Sequence, residues 1–333
     1  MNFWQQLPRP FFVLAPMDDV TDVVFREVVA RAAPPEVLFT EFVSTDGLNS
    51  AGRERTMERL RIEPGLKQPL VAQIWGSDPE KYLKTARDLA TMGFAGIDIN
   101  LGCPERSIVA RGCCGGLIGQ YERVGEIIAA VREGAPELPL SIKTRIGLNT
   151  PITEEWVGWL LRQRLAALTL HARTVREMSK VPARWEEIAT MVRLRAELAP
   201  NTIVIGNGDV RDHAHGLELA ASTGVDGIMI GRGIFHNFWA FATDDATHEP
   251  AERLAILLDH LDRYEHWGQT KPYQVLKKFF KIYVSGWPGA AELRTALIES
   301  CTPDEARAIV AAARPKLYTS KPEIETAFTA SNR

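Results

Sequence analysis

The chain is poor in cysteine, with four in 333 residues, at positions 103, 113, 114 and 301, and none spaced as a C-x2-C pair. That scarcity excludes a disulfide framework and a thiolate zinc site, and no metal is expected. Long apolar runs are also missing. No stretch approaches the roughly 18 apolar residues of a membrane span. The opening MNFWQQLPRPFFVLAPM has no basic segment followed by a leader-like apolar core. A soluble, cytoplasmic protein with no membrane partner is the expectation. Nor is there a surplus of positive charge, since 39 Lys and Arg stand against 42 Asp and Glu, a net of -3. The average conceals an asymmetry: residues 271–333 carry a balance of +4, which leaves -7 on the rest. A basic end on an acidic body hints at a polyanionic partner for that end.

What is present is a rhythm. Eight short apolar or β-branched runs punctuate the first 235 residues: FFVLAPM (11–17), EVLFTEFV (36–43), PLVAQIWG (69–76), GIDINLG (96–102), LSIKTRIG (140–147), ALTLHART (167–174), TIVIGNGDV (202–210) and DGIMIGRG (226–233). Between them lie segments of helical spacing. In DPEKYLKTARDLATMG, for example, Tyr82, Leu83, Ala86, Leu89 and Ala90 mark one face. Strand and helix alternating eight times in about 240 residues fit a closed (β/α)8 barrel. An open doubly wound sheet would carry a Gly-rich fingerprint after its first strand, and LAPMDDVTD stands there instead. From about Glu252 the pattern turns to helices without strands, so residues 1–243 are expected to form the barrel and 248–333 a small helical bundle. Nothing in the sequence demands more than a monomer.

The runs end in polar residues, at the end of the barrel where catalytic groups sit: Met17, Glu41, Gln73, Asn100, Lys143, Arg145, His171, Arg173, Asn207, Asp209 and Arg232. GNGD (206–209) and GRG (231–233) place glycines where backbone amides can approach a ligand, and Arg232 adds a fork for a phosphate. Lys143, at the end of its run, is costly to bury without an anionic or electron-rich partner. The edge of a reduced flavin would be one, with Gln73 and Asn100 able to bond ring edges. Cys103 follows the fourth run, with Pro104 stiffening its turn. It reads either as a proton donor or nucleophile, or as a small buried hydrophobe. Cys113 and Cys114, within GCCGG, read as close packing, because adjacent cysteines make a strained redox pair.

The chain resembles the tRNA-dihydrouridine synthase family. The likeness is carried by LAPMDDVTDVVFR, TEFVSTDGL, VAQIWG, GIDINLGCPERSIVARGCCGGLI, SIKTRIG, LTLHART, GNGDV and GVDGIMIGRG, in that order. It implies a barrel holding FMN, reduced by NADPH, that passes hydride to C6 of a uridine in the tRNA D-loop while Cys103 protonates C5. It further implies FMN held by Ala15, Pro16 and Met17 beneath the ring and by Gln73, Lys143 and His171 at its edges. Asn207, Gly208, Asp209, Gly231 and Arg232 would lie along the phosphate. Asn100 and Arg173 would contact substrate. HARTVREMSKVPARW departs from the family's usual Gln-Gly-Tyr stretch, which makes Lys180 a substrate candidate. The helical domain would grip tRNA through Lys277, Lys278, Lys281 and Arg294. The competing reading is an FMN barrel oxidoreductase acting on a free pyrimidine, as dihydroorotate dehydrogenases do.

Overall fold

The computed structural model describes residues 2–244, 246–268 and 271–319, so residues 320–333 of the expected helical domain lie outside the described residues. The strands are β1 (Phe11–Leu14), β2 (Leu38–Phe39), β3 (Val43–Ser44), β4 (Leu70–Trp75), β5 (Gly96–Leu101), β6 (Leu140–Arg145), β7 (Ala167–His171), β8 (Ile203–Asn207) and β9 (Gly227–Ile230). Neighbours run parallel in the order β1-β9-β8-β7-β6-β5-β4-β2, with β3 also paired to β4. The ring closes where Val13 bridges Val37 and the Leu14 amide donates to the Val37 carbonyl at 3.1 Å. This is the eightfold barrel that the repeated runs call for.

One run behaves differently. Residues 36–43 read as one strand but form two short pieces, β2 and β3. Between them the Thr40 hydroxyl donates to the Glu41 carbonyl and accepts from the Gln73 amide, and the buried Glu41 carboxylate accepts the Asp19 amide at 2.7 Å. Side-chain bonds there compete with the ladder, as short polar side chains do. The helix Pro79–Ala90 begins at Asp78, whose carboxylate accepts the Glu80 amide, with proline at its first position. It buries Tyr82, Ala86 and Leu89 as the spacing requires. Thr85 takes the place expected of Ala90, because its hydroxyl accepts a bond from Asn49.

Because side chains on a strand alternate faces, every second residue enters the barrel. The lower interior is filled by Phe11, Val13, Val71, Ala167, Ile203, Ile205 and Met229, all buried. Trp4, on the 3-10 turn Phe3–Gln6, closes the floor against the rings of Phe11 and Phe39. The upper interior, on the same strands, is polar. The chain divides into two compact units, Met1–Asp245 and Ala246–Arg333. The second consists of helices Pro250–His266, Lys277–Tyr283, Ala290–Glu299 and Pro303–Thr319. Among its internal contacts, the His260 ring bonds the Tyr283 hydroxyl at 2.7 Å and packs against Phe279. Among the described residues, no helix is long and apolar enough to cross a membrane.

Candidate active site

The register of the central strands fixes the site. Asn100 on β5 lies beside Lys143 on β6, Arg145 beside His171 on β7, and His171 beside Asn207 on β8. Their side chains converge on a cavity of about 760 Å³ at the strand ends. Ala15, Pro16, Met17, Gln73, Asn100, Cys103, Lys143, His171, Arg173, Asn207, Gly208, Asp209, Gly231 and Arg232 all line it. Lys180 does not; it is exposed on the segment after β7, where its neighbour Ser179 reaches the cavity.

Below the lining runs a supporting layer. The Asp98 carboxylate accepts from Gln73 Nε2 at 2.7 Å and from Ser141 Oγ at 2.6 Å. Gln73 Oε1 in turn accepts from Asn100 Nδ2 at 2.9 Å, and Asn100 Oδ1 takes the amides of Gly102 and Cys103 at 3.0 Å. One chain of bonds therefore leads from the barrel interior to the loop that carries the thiol. Complete burial raises the Asp98 carboxyl to about 6, against the pull of Ser141, Gln73 and Lys143. Lys143 donates to Asn207 Oδ1 at 3.1 Å, and burial and then Arg145 pull its ammonium down to about 8. Burial, reinforced by Arg145, Lys143 and Arg173, drives His171 well below its usual value, so the ring is neutral at pH 7.

Arg145 joins two loops. Its Nε donates to the Gly102 carbonyl at 2.7 Å, and its Nη1 to the carbonyls of Thr174 and Met178 at 3.1 and 2.8 Å. Arg173, almost fully buried, pairs with Asp209, donates to the Val181 carbonyl and meets His171 Nε2 at 3.2 Å. Asp209 also binds the Ala183 amide and Arg232 at 3.2 Å. Burial opposes ionisation of Asp209, but Arg173, the Ala183 amide and Arg232 outweigh it and hold the carboxyl below its usual range. Cys103 is partly exposed to the cavity. Its thiol is lowered to about 7, foremost by a hydrogen bond from the Cys114 side chain, with help from the Glu105 amide and Arg145 against burial. Nearby, the carboxylates of Asp18, Asp19 and Glu41 lie within 4.8 Å of one another. Arg59 pairs with all three, so the cluster carries its own counter-ion.

Several of these residues escaped the sequence reading. Asp98 and Ser141 precede Asn100 and Lys143 by two, and strict alternation along β5 and β6 places them on the same inward face. Arg145 stood at the end of its run without a role. Nothing local signalled that residues 114 and 115 return to Cys103, where the Gly115 amide donates to the Cys103 carbonyl at 3.3 Å. In the second unit, Lys277 donates to the Ile298 carbonyl at 2.6 Å and Arg294 to the Val284 carbonyl at 2.9 Å. Both thereby satisfy carbonyls at helix C-terminal ends. Lys278 and Lys281 are exposed, with Lys278 over the Phe279 ring.

Comparison with known proteins adds independent weight. A family model described as dihydrouridine synthase matches residues 13–318. A probable tRNA-dihydrouridine synthase of Staphylococcus aureus (strain COL) is 46% identical over 315 residues, 93% of this chain and 94% of the relative. Probable tRNA-dihydrouridine synthase 2 of Bacillus subtilis (strain 168) is 46% identical over 315 residues, 93% of this chain and 95% of its own. Among solved structures, a morphinone reductase mutant in complex with tetrahydroNAD covers 68% of this chain and 84% of its own at 12% identity, with a TM-score of 0.48. With a family model spanning nearly the whole chain and near-full-length relatives at 46% identity, this chain belongs to the dihydrouridine synthase family.

Proposed function

We propose that the protein is an FMN-dependent tRNA-dihydrouridine synthase, using NADPH to reduce the 5,6-double bond of a uridine in the tRNA D-loop. The observation that carries the reading is one cavity that combines a near-neutral thiol, a strand-end lysine and two glycine-bearing loops with arginine, in a chain of this family. The lining suits a flavin on its donor chemistry. Lys143 has one hydrogen-bond acceptor among the described residues, which leaves two ammonium protons for an electron-rich ring edge. Gly208 has φ +134, and a Cβ there would meet the Ala183 Cβ at 2.7 Å, so the chain turns where only glycine fits. Ala15, Pro16 and Met17 would lie beneath the ring, with Gln73, Lys143 and His171 at its edges. Asn207, Gly208, Asp209, Gly231 and Arg232 would hold the ribityl phosphate.

Bound flavin supplies a hydride donor that stacks flat on a uracil ring. The chain supplies the rest. Cys103 presents the acid for C5, and with its thiol near 7 it can both give a proton and recover one at neutral pH. Asn100 fixes the Cys103 loop through Oδ1 and keeps one Nδ2 proton for the uracil edge. Neutral His171 donates or accepts without adding charge beside Lys143. Arg173 and Lys180 would meet substrate, and the exposed Lys278 and Lys281 would meet RNA phosphates in the cytoplasm. A D-loop uridine lies inside a folded RNA, so the target base must leave its stack to enter the cavity.

The test is dihydrouridine formation on an unmodified tRNA transcript with NADPH and FMN, quantified by nucleoside mass spectrometry. Cys103→Ala should retain flavin and lose roughly 100-fold to 10 000-fold of uridine reduction, the usual worth of a positioned general acid. Reduction of free pyrimidines with none on tRNA would overturn the reading in favour of the free-pyrimidine alternative.

A further inference from the structure

We propose that Asp98 is a positioning residue that fixes which way the Gln73 and Asn100 carboxamides face, so that Asn100 offers an N–H, and no acceptor, to the pyrimidine edge beside C5. A base with a carbonyl at C4 then fits, and a base with an amino group there does not. The choice of base rests on uridine being the group reduced. The relay beneath it stands on geometry alone.

Asp98 lies in register with Gln73 on β4 and with Ser141 on β6. Asp98 and Gln73 are 0% exposed, Ser141 1% and Asn100 5%, so each donor among them needs an acceptor inside the protein. Polarity is set from both ends. At the upper end the amides of Gly102 and Cys103 can only donate, so the Asn100 atom that meets both at 3.0 Å is Oδ1. Asn100 Nδ2 therefore turns to Gln73 at 2.9 Å and must find Oε1 there. That leaves Gln73 Nε2 for the other side, where Asp98 Oδ2 accepts it at 2.7 Å. Asp98 Oδ1 takes the Ser141 hydroxyl at 2.6 Å. Reversing either amide alone would set N–H against N–H, or lone pair against lone pair, where both are buried.

What reaches the cavity follows by count. Asn100 Oδ1 uses both lone pairs on backbone amides, and Nδ2 uses one of its two protons on Gln73, so a single N–H remains. Because the Cys103 amide bonds that same oxygen, Asn100 stands beside the group that protonates C5. In the uracil ring C5 is bonded to C4 and lies across from C2, so the neighbouring edge is the C4 carbonyl. Uracil carries an acceptor there, as thymine does, and cytosine an amino donor. An N–H against the carbonyl completes the chain, whereas an N–H against the amino group leaves two donors unpaired out of water.

The relay can be run backwards. Asp98→Asn combined with Asn100→Asp keeps one carboxylate and the same number of bonds. The carboxylate at position 100 still takes the Gly102 and Cys103 amides, Gln73 turns its Nε2 toward it, and the amide at position 98 donates to Gln73 Oε1 while its oxygen keeps the Ser141 hydroxyl. Asn100→Asp alone sets carboxylates at both ends of Gln73, which has an N–H side for only one. Asp98→Asn alone is absorbed by turning that amide, because the Ser141 hydroxyl can swing to the Ile97 carbonyl at 3.4 Å.

All three variants would be made in the full-length, flavin-loaded enzyme at about pH 8, where bridging the mismatch with a carboxyl proton is costly. The readouts are the thermal unfolding midpoint and the affinity for two tRNA transcripts, one unmodified and one with every D-loop uridine replaced by cytidine. Asn100→Asp should lower the midpoint by about 5 °C, Asp98→Asn should lower it little, and the pair should recover most of the loss. Wild type should bind the uridine transcript about tenfold tighter than the cytidine one, and the pair should reverse that order. Comparing transcripts on one variant cancels the moved charge, and packing alone would not change the ratio. No recovery in the pair would overturn the relay. Recovery with an unreversed preference, or no preference in the wild type, would overturn the selection of base. Absence of tRNA reduction by the wild type would instead remove the synthase reading, while the unfolding cycle still decides whether Asp98 sets the relay.

Discussion

Along β4 the inward residues pass from Val71 to Gln73, along β7 from Ala167 and Thr169 to His171, and along β8 from Ile203 and Ile205 to Asn207. The same strands thus build an apolar floor and a polar mouth, and the two halves meet different costs. The floor gains from burial, about 25 cal/mol per Å² of apolar surface removed from water. The mouth bears desolvation, and its titrations record it: Asp98 moves up, whereas Lys143, Arg145 and His171 move down, all toward their neutral forms. Cys103 and Asp209 move toward charge instead, because each has acquired donors that outweigh burial. The contrast teaches how the mouth is tuned: burial neutralises, even against the two hydrogen bonds that Asp98 accepts, unless donors and neighbouring charges together outweigh it.

That comparison can be broken from either side. The largest effect should come from the floor. Trp4→Ala removes a buried indole packed on Phe3, Phe11 and Phe39, and should cost about 3–5 kcal/mol in a urea titration, with flavin binding by the remaining folded protein little altered. At the mouth, Arg232→Ala should weaken flavin retention by roughly tenfold to a hundredfold with little change in unfolding, the range of a charge-assisted contact. Equilibrium dialysis measures it. Asp98 sharpens the boundary between the halves. Its folded transition, at about 6, is above the ordinary carboxyl value, so it adds stability at acid pH that is lost as pH rises from about 4 to about 6. Unfolding free energy should fall by about 3 kcal/mol across that window, and Asp98→Asn should flatten the fall. The smallest effect belongs to the helical unit. Lys281→Ala should lower the salt slope of tRNA affinity by about one, and Lys277→Ala by less, since its ammonium already serves a helix end. Filter binding at several salt concentrations distinguishes them.

Much of this was legible in the residues. Eight apolar runs ending in polar ones announced a barrel with a polar rim, and the GNGD and GRG turns announced two loops that line its cavity. What stayed hidden has physical reasons. The break at Thr40 and Glu41 arises from side-chain bonds to Gln73 and Asp19, residues far away in sequence. Lys277 and Arg294 read as free cations because the carbonyls they serve belong to other helices. Asp98 was the avoidable omission, since alternation alone places it under Asn100.

The grip of Arg145 has an evolutionary consequence. It takes hold of the loop that carries Cys103 and the loop after β7 by three backbone carbonyls, and a carbonyl is the same whatever residue bears it. The exposed Arg176, Ser179 and Lys180 can therefore change identity without loosening the frame around Cys103, whereas Val175 is buried and Glu177 accepts the Thr174 amide and pairs with Arg184. In this arrangement selectivity and chemistry share a bracket but not an alphabet.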